Sequence, residues 1–457
     1  MTAITPGSQT GAPLIGPIIS DPVINDPVIN DPTAGEDYRI SALSAFIKKN
    51  AEKETSALPS FCGEINNHIH TIYSFSPYTP AMAALRARLA GLEAAGSVDH
   101  DSYAAAGEMR RACAVLGMGC VTGLEIRVSL RHTEFGSRKI NSPDSAGIIY
   151  ITIQGVPAAG VSAVNDFLAP IKMARGKRNR LMVENLNNIL AGSGISPLSY
   201  QNDIVPLSME PHGGSVTERH ILYALSLKLI NDCGRGENLL RFLKEKFSLE
   251  ATGKIKSMLE DKDNPYYPWD LLGLLKSSFN DRIFIQPDEA ECPQAEKAAA
   301  FAASINAVPS YAYLGDITES PTGDKKAEKF EDEFLDILIP FLKKLGFLGI
   351  TYMPPRNTAA QLERLHSLCV KYGFLEISGV DINSPRQTFS CPEIRRPEFA
   401  ILSDTTWALA AHELLANRTP PAETRGLFNP ADPLAARPLE ERIAAFAKIG
   451  RDLAAKK

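Results

Sequence analysis

The feature that most constrains the fold is an alternation of strand-like apolar runs and helical periodicities that breaks off near residue 157 and resumes near residue 286. Phe61–His70 reads as a core strand, Pro80–Ala95 as a helix, Gly96–His100 as a strand end, Ser102–Leu116 as a helix and Cys120–Leu130 as a strand. Steps of this size predict parallel strands joined by crossover helices, in which chemistry gathers at the carboxyl ends of the strands. Residues 157–285 read instead as helices, over Asn165–Ala191, Thr217–Asn231, Glu237–Leu259 and Pro268–Phe279. The alternation then returns with Arg282–Gln286, Asp288–Ala303, Ser310–Leu314, Phe330–Leu345, Phe347–Tyr352, Ala359–Tyr372 and Phe374–Val380. The expected organisation is an arm and leading helix (1–56), two halves of one α/β domain (57–156 and 286–404) split by a helical insertion (157–285), and a helical extension (405–457).

Before the first helix, Asp-Pro-Val-Ile-Asn occurs at 21–25 and again at 26–30. Prolines every five residues exclude a helix and a central strand, so this segment is expected to be an extended arm, mobile or laid over another surface. Composition narrows the function classes. No apolar run approaches the ~20 residues of a membrane helix, and the start lacks a basic, apolar secretory signal, so a cytoplasmic chain is expected. Seven scattered cysteines without a Cys-x-x-Cys predict neither a disulfide framework nor a thiolate zinc site. A net charge of −5 argues against coating nucleic acid and leaves small anionic ligands open. There is no Gly-x-Ser-x-Gly, no Walker phosphate loop and no Rossmann glycine fingerprint.

Only eight histidines are present, and two of them, His68 and His70, end the first predicted strand. Strand side chains alternate faces, so His-x-His presents both rings on one side and offers two nitrogen ligands to one cation. Two surface histidines, or one core and one exposed, would give the same spacing. Further polar groups stand at later strand ends: Asp99-His100, Glu125 in Gly123-Leu124-Glu125, and Asp381 in Gly379-Val380-Asp381-Ile382-Asn383. Two imidazoles with two carboxylates make a full ligand set for zinc, manganese or iron.

The order of these motifs resembles the polymerase and histidinol phosphatase (PHP) domain, in its nucleotide-phosphoesterase-like branch. His68-Ile69-His70-Thr71-Ile72-Tyr73-Ser74 is similar to that branch's opening His-x-His-Thr and following Ser, and Gly123-Leu124-Glu125-Ile126 to its Gly-x-Glu-Ile. The segment Thr217 to Leu225 resembles its Arg-Pro-His-Ile-Ala-x-Ala-Leu. The resemblance implies a distorted seven-stranded β/α barrel, TIM-like, with a helical insertion and a C-terminal helical extension. It also implies a first divalent-metal site of His68, His70, Glu125 and Asp381. Where the family's second and third sites carry ligands, this chain has Thr152, Tyr313, Phe75 and Asn383, which bind zinc poorly or not at all. One metal site is therefore expected, with a second rebuilt from Glu210, His212, Asp316 or Glu319 left open.

The function so implied is metal-dependent hydrolysis of a phosphate ester, a phosphomonoester or nucleotide-like substrate, by a metal-bound hydroxide. His100 is the expected general acid with Asp99 orienting it, and Arg356 the cation beside the reacting phosphoryl group. Arg127, Arg219 and His220 are the expected substrate contacts. The alternatives are a non-catalytic relative that binds a metal or a phosphorylated ligand, and a single-metal amide or lactone hydrolase.

Overall fold

A computed structural model describes residues 27–51, 58–317, 328–416 and 425–455. A leading helix α1 (Glu36–Ala51) precedes β1 (Ile65–Ile69), α2 (Pro80–Leu89), β2 (Ala94–His100), α3 (Ala106–Val115), β3 (Gly119–Ser129) and β4 (Ile148–Gln154). The helices α4 (Val161–Leu190), α5 (Glu218–Cys233), α6 (Glu237–Phe247), α7 (Gly253–Glu260) and α8 (Tyr267–Ile283) follow without an intervening strand. Then come α9 (Ala295–Ser304), β5 (Val308–Ala312), α10 (Leu335–Lys344), β6 (Gly349–Tyr352), α11 (Ala359–Tyr372) and β7 (Leu375–Ser378). The chain ends on α12 (Ala400–Leu415) and α13 (Leu439–Ala454).

The strands form one seven-stranded sheet in chain order, β1 to β7. A parallel bridge between Ile69 and Ile382 brings its two edges together, so the sheet is a nearly closed α/β barrel surrounded by helices. His70 N donates to Ile382 O at 2.9 Å and Ile382 N to His68 O at 3.1 Å, which fixes the chain on both sides of Asp381 against β1. This is the expected barrel, with one correction to strand direction. β4 runs antiparallel to both β3 and β5, while the remaining pairs are parallel. The reason is local: residues 130–147 contain no helix to carry the chain back, so it folds over and returns alongside β3. A second correction concerns Arg282–Gln286, read as a strand; α8 runs on to Ile283 and the rest is irregular.

The apolar strand residues and the inner faces of the barrel helices share one core that includes Val121, Ile151, Tyr311, Leu338, Ile350 and Leu375. The insertion has a core of its own, built on Met182, Leu186, Ile221, Leu225, Leu271 and Phe279, into which Phe75 from the barrel also packs. Residues 27–30 of the second Asp-Pro-Val-Ile-Asn copy are laid over their own chain. Ile29 is buried beside Leu43 and Ala84, while the Asn30 carboxamide accepts from Thr79 N at 2.9 Å and donates to Pro77 O at 3.0 Å. Thr79 in turn caps α2 through Met82 N at 3.1 Å, so the arm braces the helix that follows β1. The first copy, Glu319 and the loop at 419–421 lie outside the described residues. No helix among the described residues is long and apolar enough to cross a membrane.

Candidate metal centre

Strand spacing alone does not aim His68 and His70; β1 is irregular between Asn66 and Ile69, where its pairing with β2 shifts register. Asn66 holds this stretch, accepting from His68 N at 2.9 Å and donating to Val380 O at 2.8 Å. Both Nε2 atoms then face Glu125, His68 at 3.6 Å from Oε1 and His70 at 3.7 Å from Oε2. His70 Nε2 also lies 3.4 Å from Asp381 Oδ1. Glu125 and Asp381 are each set two residues after a glycine, and each glycine serves close strand approach. A Cβ on Gly123 would collide with Ile153 O, and one on Gly379 with Thr351 Oγ1.

These ligand atoms meet the first requirement of a cation site. The nitrogen and oxygen ligands of His68, His70 and Glu125 lie within 4.8 Å of one another, all three residues are buried, and together they could hold a metal ion. Separations of 3.4–3.7 Å between nitrogen and carboxylate are too long for strong hydrogen bonds and leave the ring nitrogens poorly partnered within the protein. His68 Nδ1 is also buried without a partner among the described residues. The outer contacts hold the remaining groups. His70 Nδ1 faces Ser74 Oγ at 3.3 Å, and the Asn383 amide donates to both Asp381 oxygens at 2.8 Å. Asn383, expected to be a lost ligand, thus clamps Asp381, one of the expected ligands.

Charge in the centre is arranged accordingly. Burial, followed by the fields of His100 and His68, holds His70 well below its ordinary pKa and leaves it neutral, the form in which imidazole ligates metal. Burial pushes Glu125 upward, but His100 and His68 outweigh it and bring the carboxyl below its usual range. Burial raises Asp381, partly offset by His68. Burial alone would lower His100; the adjacent Glu125 carboxylate overcomes this and raises it, through a contact of 2.9 Å from Nδ1 to Oε2.

The centre opens into a cavity of about 290 Å³, lined among others by His68, His100, Glu125, Arg127, Tyr150, Arg175, Glu218, Arg219, Lys276, Tyr313, Tyr352 and Asp381. Of the expected substrate contacts, Arg127 and Arg219 line it. Arg127 is tied to Glu291 and lies 3.3 Å from Glu218, so it belongs to a buried ionic lattice. Three other expected site residues stand elsewhere. His220 is a helix cap, its Nδ1 accepting from Thr217 N at 3.0 Å. Asp99 does not orient His100; its oxygens are taken by Thr71 N, Thr71 Oγ1 and Ser74 Oγ at 2.6–2.7 Å, bracing the turn after β1. Arg356 donates to Leu314 O at 3.0 Å and lies over the Phe330 ring, outside the cavity lining.

The residues expected to be lost ligands have structural partners. Thr152 is buried in the barrel opposite Glu125, and the Tyr313 hydroxyl donates to Asp332 at 2.6 Å. Glu210 and His212 sit on a short 3-10 turn that includes the exposed His212, and Asp316 accepts from Phe330 N at 2.6 Å. None of these three joins the centre, and among the described residues one metal-capable group of three is found. Tyr150 and Lys276 were not singled out from sequence. Tyr150 lies opposite Arg127 only through strand pairing, and burial pushes its hydroxyl up to about 12, so it remains a donor facing the cavity.

No family model matches the chain, and no curated protein matches it. Among solved structures it is similar to a candidate metal-dependent phosphoesterase from Bifidobacterium adolescentis, with 18% identity over 74% of this chain and 96% of that one and a TM-score of 0.47. It is also similar to an amidohydrolase from Chromobacterium violaceum with bound sulfate and no metal, with 16% identity over 71% and 89% and a TM-score of 0.46. At these values neither likeness fixes an activity.

Proposed function

We propose that this protein is a divalent-metal-dependent hydrolase of phosphate esters on a PHP-type barrel, acting on a small phosphomonoester or nucleotide-like substrate. The observation that carries the reading is the convergence of His68, His70, Glu125 and Asp381 beside a cavity that His68, Glu125 and Asp381 line together with His100 and Arg219. These four residues would hold the ion. When bound, a divalent ion supplies Lewis acidity toward a phosphoryl oxygen and acidifies a coordinated water from a pKa of about 15.7 to about 7.

The chain's own residues complete the chemistry. Glu125 Oε2 accepts from His100 Nδ1, which leaves Nε2 as the proton-exchanging atom. Its raised pKa favours the protonated ring, suited to delivering a proton to a departing alkoxide. Arg219 is positioned to neutralise charge on the phosphoryl oxygens, and the Tyr150 hydroxyl to donate a neutral hydrogen bond. The volume of about 290 Å³ suits a compact substrate, not a polymer.

The test is phosphate release from a panel of phosphomonoesters by the metal-loaded protein, with His68→Ala and Asp381→Ala as comparisons. Turnover lost in both variants is expected. Turnover unchanged in them, or hydrolysis of amides or lactones without phosphate esters, would overturn the assignment.

A further inference from the structure

The cationic side chains around the cavity fall into two groups. Arg127, Arg175 and Arg178 are matched one for one by Asp101, Glu218 and Glu291 in a closed lattice. Arg175 pairs with Asp101 and Glu218, Arg178 with Glu218 and Glu291, and Arg127 with Glu291. These arginines have their charges satisfied within the protein.

Arg219 and Lys276 are different. Arg219 leaves the first turn of α5 and lies with its guanidinium carbon 4.8 Å from the Phe75 ring centre, a face that supports a cation without neutralising it. Lys276 reaches the cavity from α8. Among the described residues, neither side chain makes a hydrogen bond or an ion pair within 4.0 Å of a carboxylate. Asp144, Glu218 and Asp381 act on Lys276 only through their fields; Asp144 accepts from Asn280 at 3.2 Å. The lining carboxylates Glu125 and Asp381 belong to the metal centre.

Arg219 and Lys276 line the same cavity without bonded counter-charges. Desolvation and then the Arg219 field hold the Lys276 ammonium below its ordinary pKa, against the fields of Asp144, Glu218 and Asp381. Arg219 is half-buried and Lys276 exposed, so both charges stay reachable from solvent, and a bound anion would supply the counter-charge that the protein does not. Arg offers a planar fork and Lys a compact point charge, a combination suited to a tetrahedral oxyanion.

We propose that Arg219 and Lys276 form an anion subsite for a phosphoryl group, supplied by the helical insertion and able to bind without the metal. This rests on the phosphate-ester reading for its place in catalysis, but it divides the labour of the site. The barrel brings the metal ligands and the insertion brings the recognition of substrate charge.

The experiment is titration of inorganic phosphate into chelator-treated, full-length protein, followed by calorimetry and by phosphorus NMR line width. Wild type is expected to bind phosphate. Lys276→Met and Arg219→Gln are each expected to weaken binding by about tenfold or more, the worth of one charge-assisted contact. Lys276→Arg is expected to stay within about threefold of wild type. Circular dichroism and metal content matching wild type in these variants keep a loss of binding from being a loss of fold. No phosphate binding by the metal-free wild type, or equal binding by wild type, Lys276→Met and Arg219→Gln, would overturn the subsite. Failure of the phosphate-ester panel with phosphate binding lost in both variants would overturn the hydrolase reading and leave the subsite standing. A working panel with an unaltered KM in Lys276→Met would do the reverse.

Discussion

The metal centre and the ionic lattice lie on the same cavity and are built from the same kinds of residue, yet they differ in how their charges are satisfied. In the lattice every arginine meets carboxylates on separate elements, and Glu291 alone takes Arg127 and both Nε and Nη2 of Arg178. In the centre two imidazoles and two carboxylates converge at 3.4–3.7 Å, and His68 Nδ1 has no partner among the described residues. Burial is similar in both, so burial does not mark the functional group. The spacing of partners does: in the lattice each arginine is paired with carboxylates, whereas the imidazoles and carboxylates of the centre that face one another across 3.4–3.7 Å stand beyond strong hydrogen-bond distance.

The largest expected effect breaks the closed side. Glu291→Gln leaves Arg127 and Arg178 short of a counter-charge in a site where Glu291 is 2% exposed. Equilibrium urea unfolding is expected to show a loss of about 3–5 kcal/mol. A loss under 1 kcal/mol would mean that the lattice does not tie the insertion down.

Glu331 sharpens the comparison because it is a buried carboxyl that accepts from Tyr311 Oη and Leu314 N, both at 2.8 Å, but makes no ion pair among the described residues. Burial pushes it up to about 7. A folded pKa above the unfolded one stabilises the native state below the unfolded value, and that stability is lost as pH rises through about 7. The span amounts to something on the order of 3 kcal/mol. Urea midpoints measured from pH 4.5 to 8.5 should fall through this window in wild type, and Glu331→Gln should flatten that part of the profile.

On the open side, adding a divalent ion should stabilise what the lattice does not. At a free ion concentration 100-fold above its dissociation constant, the gain is about 2.7 kcal/mol, visible as a rise in Tm that EDTA reverses. Glu291→Gln should lower the baseline and keep the increment, whereas His70→Ala should keep the baseline and lose the increment. Smaller still is Asn383→Ala, which frees Asp381 without removing a ligand. Metal affinity measured against a competing chelator should weaken by about 10- to 100-fold, as for loss of an orienting contact.

How much of this could be read from the sequence depends on the range of the signal. The His-x-His pair, Gly123-Leu124-Glu125 and Gly379-Val380-Asp381 each carry a local rule of strand alternation and close backbone approach. All four expected ligands come together, β6 and β7 fall within the predicted strands, and β5 begins two residues before the predicted one and overlaps it at 310–312. The direction of β4 was hidden because it depends on the absence of a helix in 130–147, where apolar periodicity says little. The lattice was hidden for a different reason. Arg175 and Asp101 are 74 positions apart, and Arg127 and Glu291 are 164 apart, so no window shows them as partners. Lys276 looks like any exposed lysine of an amphipathic helix, and it is exposed in the fold too; only the tertiary structure shows that it lines the cavity. Asp99, His220 and Arg356 had motif neighbours that pointed to the site, while their side chains were already committed to a turn, a helix cap and a loop carbonyl.

The most direct measurement is elemental analysis of the purified full-length protein after reconstitution with divalent ions and removal of excess, with phosphate release assayed on the same samples. The expected result is at least one tightly held ion per chain in wild type, with ion and turnover lost together in His70→Ala. A protein that holds no ion above background, or a His70→Ala variant that keeps both ion and turnover, would contradict the metal centre at the core of this reading.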